Sequence, residues 1–388
     1  MSVLPLHQHP PELARWLPSG GCSHQRPAHP AAPGAPDARS GPIRHYLTRR
    51  SRFGQHPGML HTRLTDALQI EHPVMLAGMG GVSYHRLVTA VSEAGGFGCM
   101  GASAMGDREM RREIAAVREA TSRPFGVDLL TALPHGLEDK VADVIRGGAS
   151  AFVAGLGVPR DVIDQCHSHG VLVVNMCGKV RHAVAAVEAG CDIVVAQGTE
   201  AGGHTGRVAT VALVPQVVDA VGELASRSHG RSGRVPVVAA GGIVDGRGLA
   251  AALALGADGV WIGTRFIATP EARSVRGYKE TLLRSHEDDT VVTKAYTGKT
   301  CRVIANSYTQ EYEDGGREVQ RFPAQVLQSI QDGANHLGGD ETTPDVDPDR
   351  EFFPAGQGVG SIDALVPAGD LVHQIVDEAE AVLSKIRP

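Results

Sequence analysis

The sequence predicts an α/β fold, a (β/α)8 TIM barrel carrying a small additional C-terminal lobe. Two observations lead there. Eight short apolar runs recur between residues 73 and 265, and amphipathic segments separate them. The runs are continuously apolar, as strands buried on both faces of a parallel sheet require, where a half-exposed strand would alternate. Eight such β–α units within about 200 residues suit a closed barrel better than an open doubly wound sheet.

Taken in order, the runs are "PVMLAGM", "GFGCMGA", "PFGVDLL", "ASAFVAG", "VLVVNMC", "CDIVVAQG", "PVVAAGG" and "GVWIGTR". Between them Val180, Val184 and Val187 recur at helical spacing, as do Leu249 and Leu253. Gly95, Gly170, Gly190 and Gly256 each stand just before the next run, where glycine supplies the left-handed turn that ends a helix. Residues 1–58 are rich in Pro, Gly, Arg and His and hold little that could form a core, so we expect a disordered extension without a secretory signal. Met59 reads as the natural start. The barrel is expected over 59–270, a small lobe over its mouth at 271–365, and the final barrel helix at 366–388, with Leu371, Ile375 and Ala379 along one face.

Composition excludes several classes of function. A formal net charge of -6 implies neither nucleic acid nor an anionic membrane as partner. No stretch approaches the roughly 18 continuous apolar residues of a membrane span. The six cysteines form no CxxC and no metal-ligand spacing, so no metal is expected. Several lie inside apolar runs and read as buried reduced thiols, which fits a cytoplasmic protein.

The barrel turns position into function, because active sites in this fold lie at the C-terminal ends of the strands. The sixth run opens into "IVVAQGTEAGGHTG", residues 193–206, where Gly198, Gly202, Gly203 and Gly206 crowd around Glu200 and His204. That is more glycine than a turn needs. Barrel phosphate sites are often built from the loops after the seventh and eighth strands. Gly241, Gly242, Gly263 and Thr264 fit that task, since bare backbone lets N–H groups approach an anion and a nearby helix N-terminus adds a favourable dipole. Such a cradle suits sugar phosphates, pyridoxal phosphate or FMN alike. Lys179 is the one lysine placed at a strand end for Schiff-base chemistry; it equally reads as the opening of a helix.

Four segments together resemble the nitronate monooxygenase family, also called 2-nitropropane dioxygenases. They are "EHPVMLAGMGGVS", "PFGVDLL", "VVAQGTEAGGHTG" and "PVVAAGGIVDGRGLAAALALGADGVWIGTRFIAT", and "AGQGVG" at 355–360 extends the match. The resemblance implies an FMN-dependent (β/α)8 barrel, related to the flavin-dependent enoyl-acyl-carrier-protein reductases. It places Ala77, Gly78 and Met79 against the isoalloxazine ring, Gln197 and Gly198 beside it, and Gly202 and Gly203 in a loop passing close to it. Gly241, Gly242, Gly263 and Thr264 match the FMN phosphate cradle, and His204 matches the catalytic histidine.

Two departures stand out. Many relatives have Asn where this chain has Asp128, and an ionised carboxylate cannot donate a hydrogen bond. The segment "LAGMGG" also lacks a Pro found in many relatives before the Met.

The chemistry implied is oxidation of a small-molecule nitronate. The nitronate gives up an electron to FMN, dioxygen takes part, and a carbonyl compound and nitrite are released. Imidazole titrates near neutral pH, so His204 could take a proton α to a nitro group or hold the nitronate anion. The alternatives are an NAD(P)H-dependent flavin reductase acting on an enoyl thioester or quinone, a flavin-free barrel isomerase or aldolase, and a non-catalytic binding module. Substrate selectivity is expected in the lobe, where Tyr308 and Tyr312 read more readily as packing than as site residues.

Overall fold

A computed structural model describes residues 60–131, 136–158, 160–227, 234–313 and 315–386. The expected extension at 1–58, the start at Met59 and Cys22 lie outside them. Eight parallel strands coincide with the eight apolar runs: β1 (Val74–Leu76), β2 (Gly98–Gly101), β3 (Phe125–Leu130), β4 (Ala151–Gly155), β5 (Leu172–Cys177), β6 (Ile193–Gln197), and then β8 (Val237–Ala240) and β9 (Gly259–Ile262). The hydrogen-bonded order is β1-β9-β8-β6-β5-β4-β3-β2. Parallel bridges Met75 to Phe97 and Gly80 to Gly101 join β1 to β2 and close the ring.

Two apolar layers follow from the two-residue repeat of a strand. Met75, Ala77, Phe97, Cys99, Val153, Val174, Val195, Val238 and Trp261 pack together inside the barrel. Their strand neighbours, such as Leu76, Met100, Val127, Phe152, Val194 and Val260, face the helices. The inner end opposite the strands' C-termini is plugged by α1 (Arg63–Leu68), whose Leu64 and Leu68 join the inner cluster. At about 25 cal/mol per Å² of apolar surface removed from water, these layers dominate the stability of the barrel.

The ring helices are α2 (His85–Glu93), α3 (Asp107–Ala120), α4 (Leu137–Arg146), α5 (Ile163–Ser168), α6 (Val180–Ala189), α7 (Thr210–Arg227) and α8 (Gly246–Ala254). Gly95, Gly170, Gly190 and Gly256 have φ of +82°, +73°, +113° and +89°, the left-handed helix exits read from the sequence. After the short α9 (Thr264–Ile267) come α10 (Tyr278–Arg284), α11 (Ser307–Glu313) and α12 (Ala324–Gln331). Finally α13 (Ala368–Ile386) packs against α8 and α2, the place of an eighth ring helix, and buries Leu371, Ile375 and Ala379.

One feature was not anticipated. Residues 203 and 204 of the glycine-rich loop form a strand of their own, β7 (Gly203–His204), paired antiparallel with β11 (Cys301–Ile304), which pairs in turn with β10 (Thr290–Thr293). This three-stranded sheet anchors the segment after α10 at the C-terminal end of β6. A separate apolar cluster holds Tyr296, Tyr308, Tyr312, Val303 and Ala334 beside it.

Candidate active site

His204 is held by three elements. Cys301 lies opposite it across the β7–β11 ladder. From the end of β6, the side-chain amide of Gln197 donates to the His204 carbonyl at 2.6 Å. From the turn between β10 and β11, the Thr297 hydroxyl lies 3.1 Å from His204 Nε2. Burial, and then the nearby Lys299 ammonium, push the imidazole down to about 4, so it is neutral at physiological pH.

Glu200, unexplained by the sequence, turns inward to the chain. Both carboxylate oxygens accept from the Thr210 N–H at 3.0 Å, and the Thr210 hydroxyl donates to Oε2 at 2.9 Å. It thereby satisfies a donor at the start of α7 and fixes the loop to that helix.

The crowded glycines serve the same packing. A Cβ on Gly198 would lie 2.0 Å from Thr210 Oγ1, and one on Gly202 would lie 2.7 Å from the Ala355 backbone. These two are therefore glycine because protein passes close by. Gly203 differs, with φ +74° and open space where its Cβ would be.

The turns after β8 and β9 lie side by side, since Ala240 is in register with Trp261. Gly241 and Gly242 have φ of +108° and +71°, consecutive left-handed residues that only glycine adopts readily. The N–H groups of Gly242, Gly263 and Thr264 take no acceptor among the described residues. Thr264 Oγ1 accepts from the Gly356 N–H at 3.0 Å and keeps its own proton free to donate. The "AGQGVG" segment closes this side: the Gln357 N–H donates to the Glu200 carbonyl at 2.9 Å.

The N-terminus of α8 is already capped, with the Asp245 carboxylate accepting from Arg247 and Gly248 N–H at 3.0 and 3.2 Å. The N–H groups left open to an anion are those of the two turns.

Ala77, Gly78 and Met79 follow β1, where the Met79 N–H donates to Ser83 Oγ at 2.7 Å. Asp128 stands on the inward face of β3. A Cβ on Gly78 would lie 2.8 Å from its Oδ2, and one on Gly155 would lie 3.4 Å from its Oδ1. Its carboxyl makes no hydrogen bond or ion pair among the described residues, and burial pushes it up to about 8. In its protonated form this carboxyl can donate a hydrogen bond, as the Asn of many relatives can.

Lys179 is exposed at the N-cap of α6 without a side-chain capping bond, a poor setting for a lysine nucleophile, which needs desolvation. Tyr308 and Tyr312 are buried, their hydroxyls 3.2 Å apart, with Tyr308 donating to Asp332 at 2.8 Å. They are packing residues of the lobe. Among the described residues no group of three His, Cys, Asp or Glu could hold a metal, and no helix is long and apolar enough to cross a membrane. Cys99, Cys166, Cys177, Cys191 and Cys301 are buried. A cavity of about 400 Å³ is lined by Thr199, Gly206, Arg207, Val292, Thr293, Lys294 and Thr300; Gly206 of the glycine-rich loop reaches it, whereas His204 and the residues expected to hold the cofactor do not line it.

Comparison with known sequences decides the family: residues 61–378 match the profile of nitronate monooxygenase. The chain belongs to the nitronate monooxygenase family. It is accordingly an oxidoreductase of a flavoprotein family. A "probable nitronate monooxygenase" of Staphylococcus aureus is 32% identical over 328 residues, 72% of this chain and 89% of that protein. A Mycobacterium tuberculosis protein named "(3aS,4S,5R,7aS)-5-hydroxy-7a-methyl-1-oxo-octahydro-1H-indene-4-carboxyl-CoA dehydrogenase" is 33% identical over 351 residues, 82% of this chain and 96% of that one. Among solved structures, FabK of Thermotoga maritima superposes with a TM-score of 0.73 at 34% identity, covering 84% of this chain and 98% of its own. Nitroalkane oxidase of Streptomyces ansochromogenes gives 0.70 at 29% identity, covering 83% and 99%. The proteins this chain resembles are thus named for two kinds of substrate, a nitro compound and a carboxyl-CoA. Thr297, about ninety residues from His204, was missed by sequence reasoning; neither strand flanking its turn produced an apolar run.

Proposed function

We propose that the chain is an FMN-dependent oxidoreductase that oxidises alkyl nitronates with dioxygen to a carbonyl compound and nitrite. The observation that carries this reading is His204, an imidazole kept neutral and anchored by the lobe at the C-terminal end of β6. The residues present fit a flavin mononucleotide. The unpaired N–H groups of Gly242, Gly263 and Thr264 and the Thr264 hydroxyl would hold its phosphate. Ala77, Gly78 and Met79, with Gln197, Gly202 and Gly203, would line the ring, and the neutral Asp128 carboxyl would offer it an O–H donor.

When bound, the flavin supplies the electron acceptor for the substrate carbon. His204 takes the proton α to the nitro group of a neutral nitroalkane and so produces the nitronate in place. No nicotinamide is needed for this cycle.

The test is nitrite release under air from purified yellow protein given a nitronate and no nicotinamide. Catalytic nitrite supports the reading; a colourless protein, or a yellow one that forms none, contradicts it. The similarity to a protein named as a carboxyl-CoA dehydrogenase favours a second reading, an NAD(P)H-dependent reductase of an enoyl thioester or a quinone. Rapid flavin bleaching on anaerobic mixing with NADH or NADPH is its signature.

A further inference from the structure

The proton arrangement around His204 points to a residue outside the motifs. Thr297 is 5% exposed and its hydroxyl has three neighbours. It donates to the Lys299 carbonyl at 3.1 Å, it accepts from the Lys299 N–H at 3.3 Å, and it lies 3.1 Å from His204 Nε2. A hydroxyl has one proton and two lone pairs. With the proton directed to the Lys299 carbonyl and one lone pair on the Lys299 N–H, the remaining lone pair is open to a donor, and the group within reach is His204 Nε2. In that arrangement the shared proton is carried by Nε2. A neutral imidazole carries one ring proton, so the other nitrogen is then bare. Nδ1 makes no hydrogen bond among the described residues.

We infer that Thr297 is a positioning residue that fixes His204 as the Nε2–H tautomer and leaves Nδ1 as the proton-accepting atom. This rests on His204 being the base of the proposed reaction. In the step concerned, the substrate Cα–H bond breaks, its proton goes to Nδ1, and the electron pair stays on the substrate as the nitronate. The imidazolium so formed keeps its Nε2–H on Thr297, and no oxidant is involved. The ring's electrostatic surroundings agree. Lys299 faces it from the turn and disfavours a resident imidazolium. Cys301 and Arg302 stand in register with β7 on β11, and Gln197 on β6 is neutral.

The experiment compares Thr297→Val, which removes the hydroxyl at nearly constant volume, with Thr297→Ser, which retains it. Each flavin-loaded protein is given a neutral nitroalkane and, separately, the preformed nitronate. We expect Thr297→Val to lose roughly tenfold with the neutral substrate, part of the 100-fold or more that a positioned base contributes. It should stay within about twofold of wild type on the nitronate, while Thr297→Ser restores the neutral rate. Equal losses on both substrates, no loss at all, or failure of serine to rescue would overturn the inference. His204→Ala separates the two claims: normal turnover of the neutral substrate by that variant removes the base reading itself. A direct measurement needs neither substrate nor a folded Thr297 variant. Nitrogen-15 spectra of histidine-labelled wild-type holoprotein, assigned by comparison with His204→Ala, should show the proton on Nε2, and a proton on Nδ1 contradicts the inference.

Discussion

At the residue scale the proposed function turns on two side chains, His204 and Asp128, whose neutral forms are favoured by burial. For His204 the native pKa, about 4, lies below the ordinary 6.5, so the base is available throughout the neutral range. The kcat/KM for a neutral nitroalkane should therefore stay flat from about pH 8 to about pH 5 and fall only toward an acid limb near 4. A limb at the ordinary histidine value would show that the imidazole is solvated. Asp128 runs the other way, from 3.8 to about 8. Between those values the folded chain keeps a proton that the unfolded chain has lost. Stability contributed by this group therefore falls as pH rises through the window, and the loss is complete above about 8. Asp128→Asn should raise the melting temperature of the cofactor-stripped protein more at about pH 8 than at about pH 5. Equal effects at both would mean that the carboxyl is not neutral. The identities of these residues were legible in the sequence, but their protonation was not, because it depends on desolvation by strands far apart in the chain. Thr297 was illegible for the same reason.

The element that matters most is the loop from Gly198 to Gly206. Its glycine content was legible, and its cause was only partly so. Gly198 and Gly202 admit Thr210 and the Ala355–Gly356 backbone, so the loop is a packed junction between α7, the lobe and the 355–360 segment. Gly198→Ala places a methyl 2.0 Å from Thr210 Oγ1 and should destabilise the protein by about 1–3 kcal/mol, read as a lower urea midpoint. Glu200→Ala removes the anchor of that loop on α7 and should cost about 0.5–2 kcal/mol, with weaker flavin retention on dilution. An unchanged midpoint in either variant would return the loop to a role toward ligand alone. The lobe strands escaped sequence reading because β10 and β11 have four residues each and pair with a two-residue strand about a hundred positions away. A periodicity argument has no purchase on segments so short.

At the scale of the whole molecule, the barrel was legible because each parallel strand is buried on both faces and so announces itself without long-range information. Closure of the ring between β1 and β2, the plug by α1 and the placement of α13 then follow from how the two apolar layers must be covered. What the fold does not distinguish is the electron donor, since the same architecture occurs at 34% and 29% identity in FabK and in a nitroalkane oxidase. The central claim is that the nitronate itself is that donor. It is tested most directly by anaerobic mixing of the flavin-loaded protein with a nitronate or with NADH and NADPH, following flavin absorbance in each. The account predicts a rapid absorbance change with the nitronate and none with either nicotinamide; the reverse pattern would contradict it.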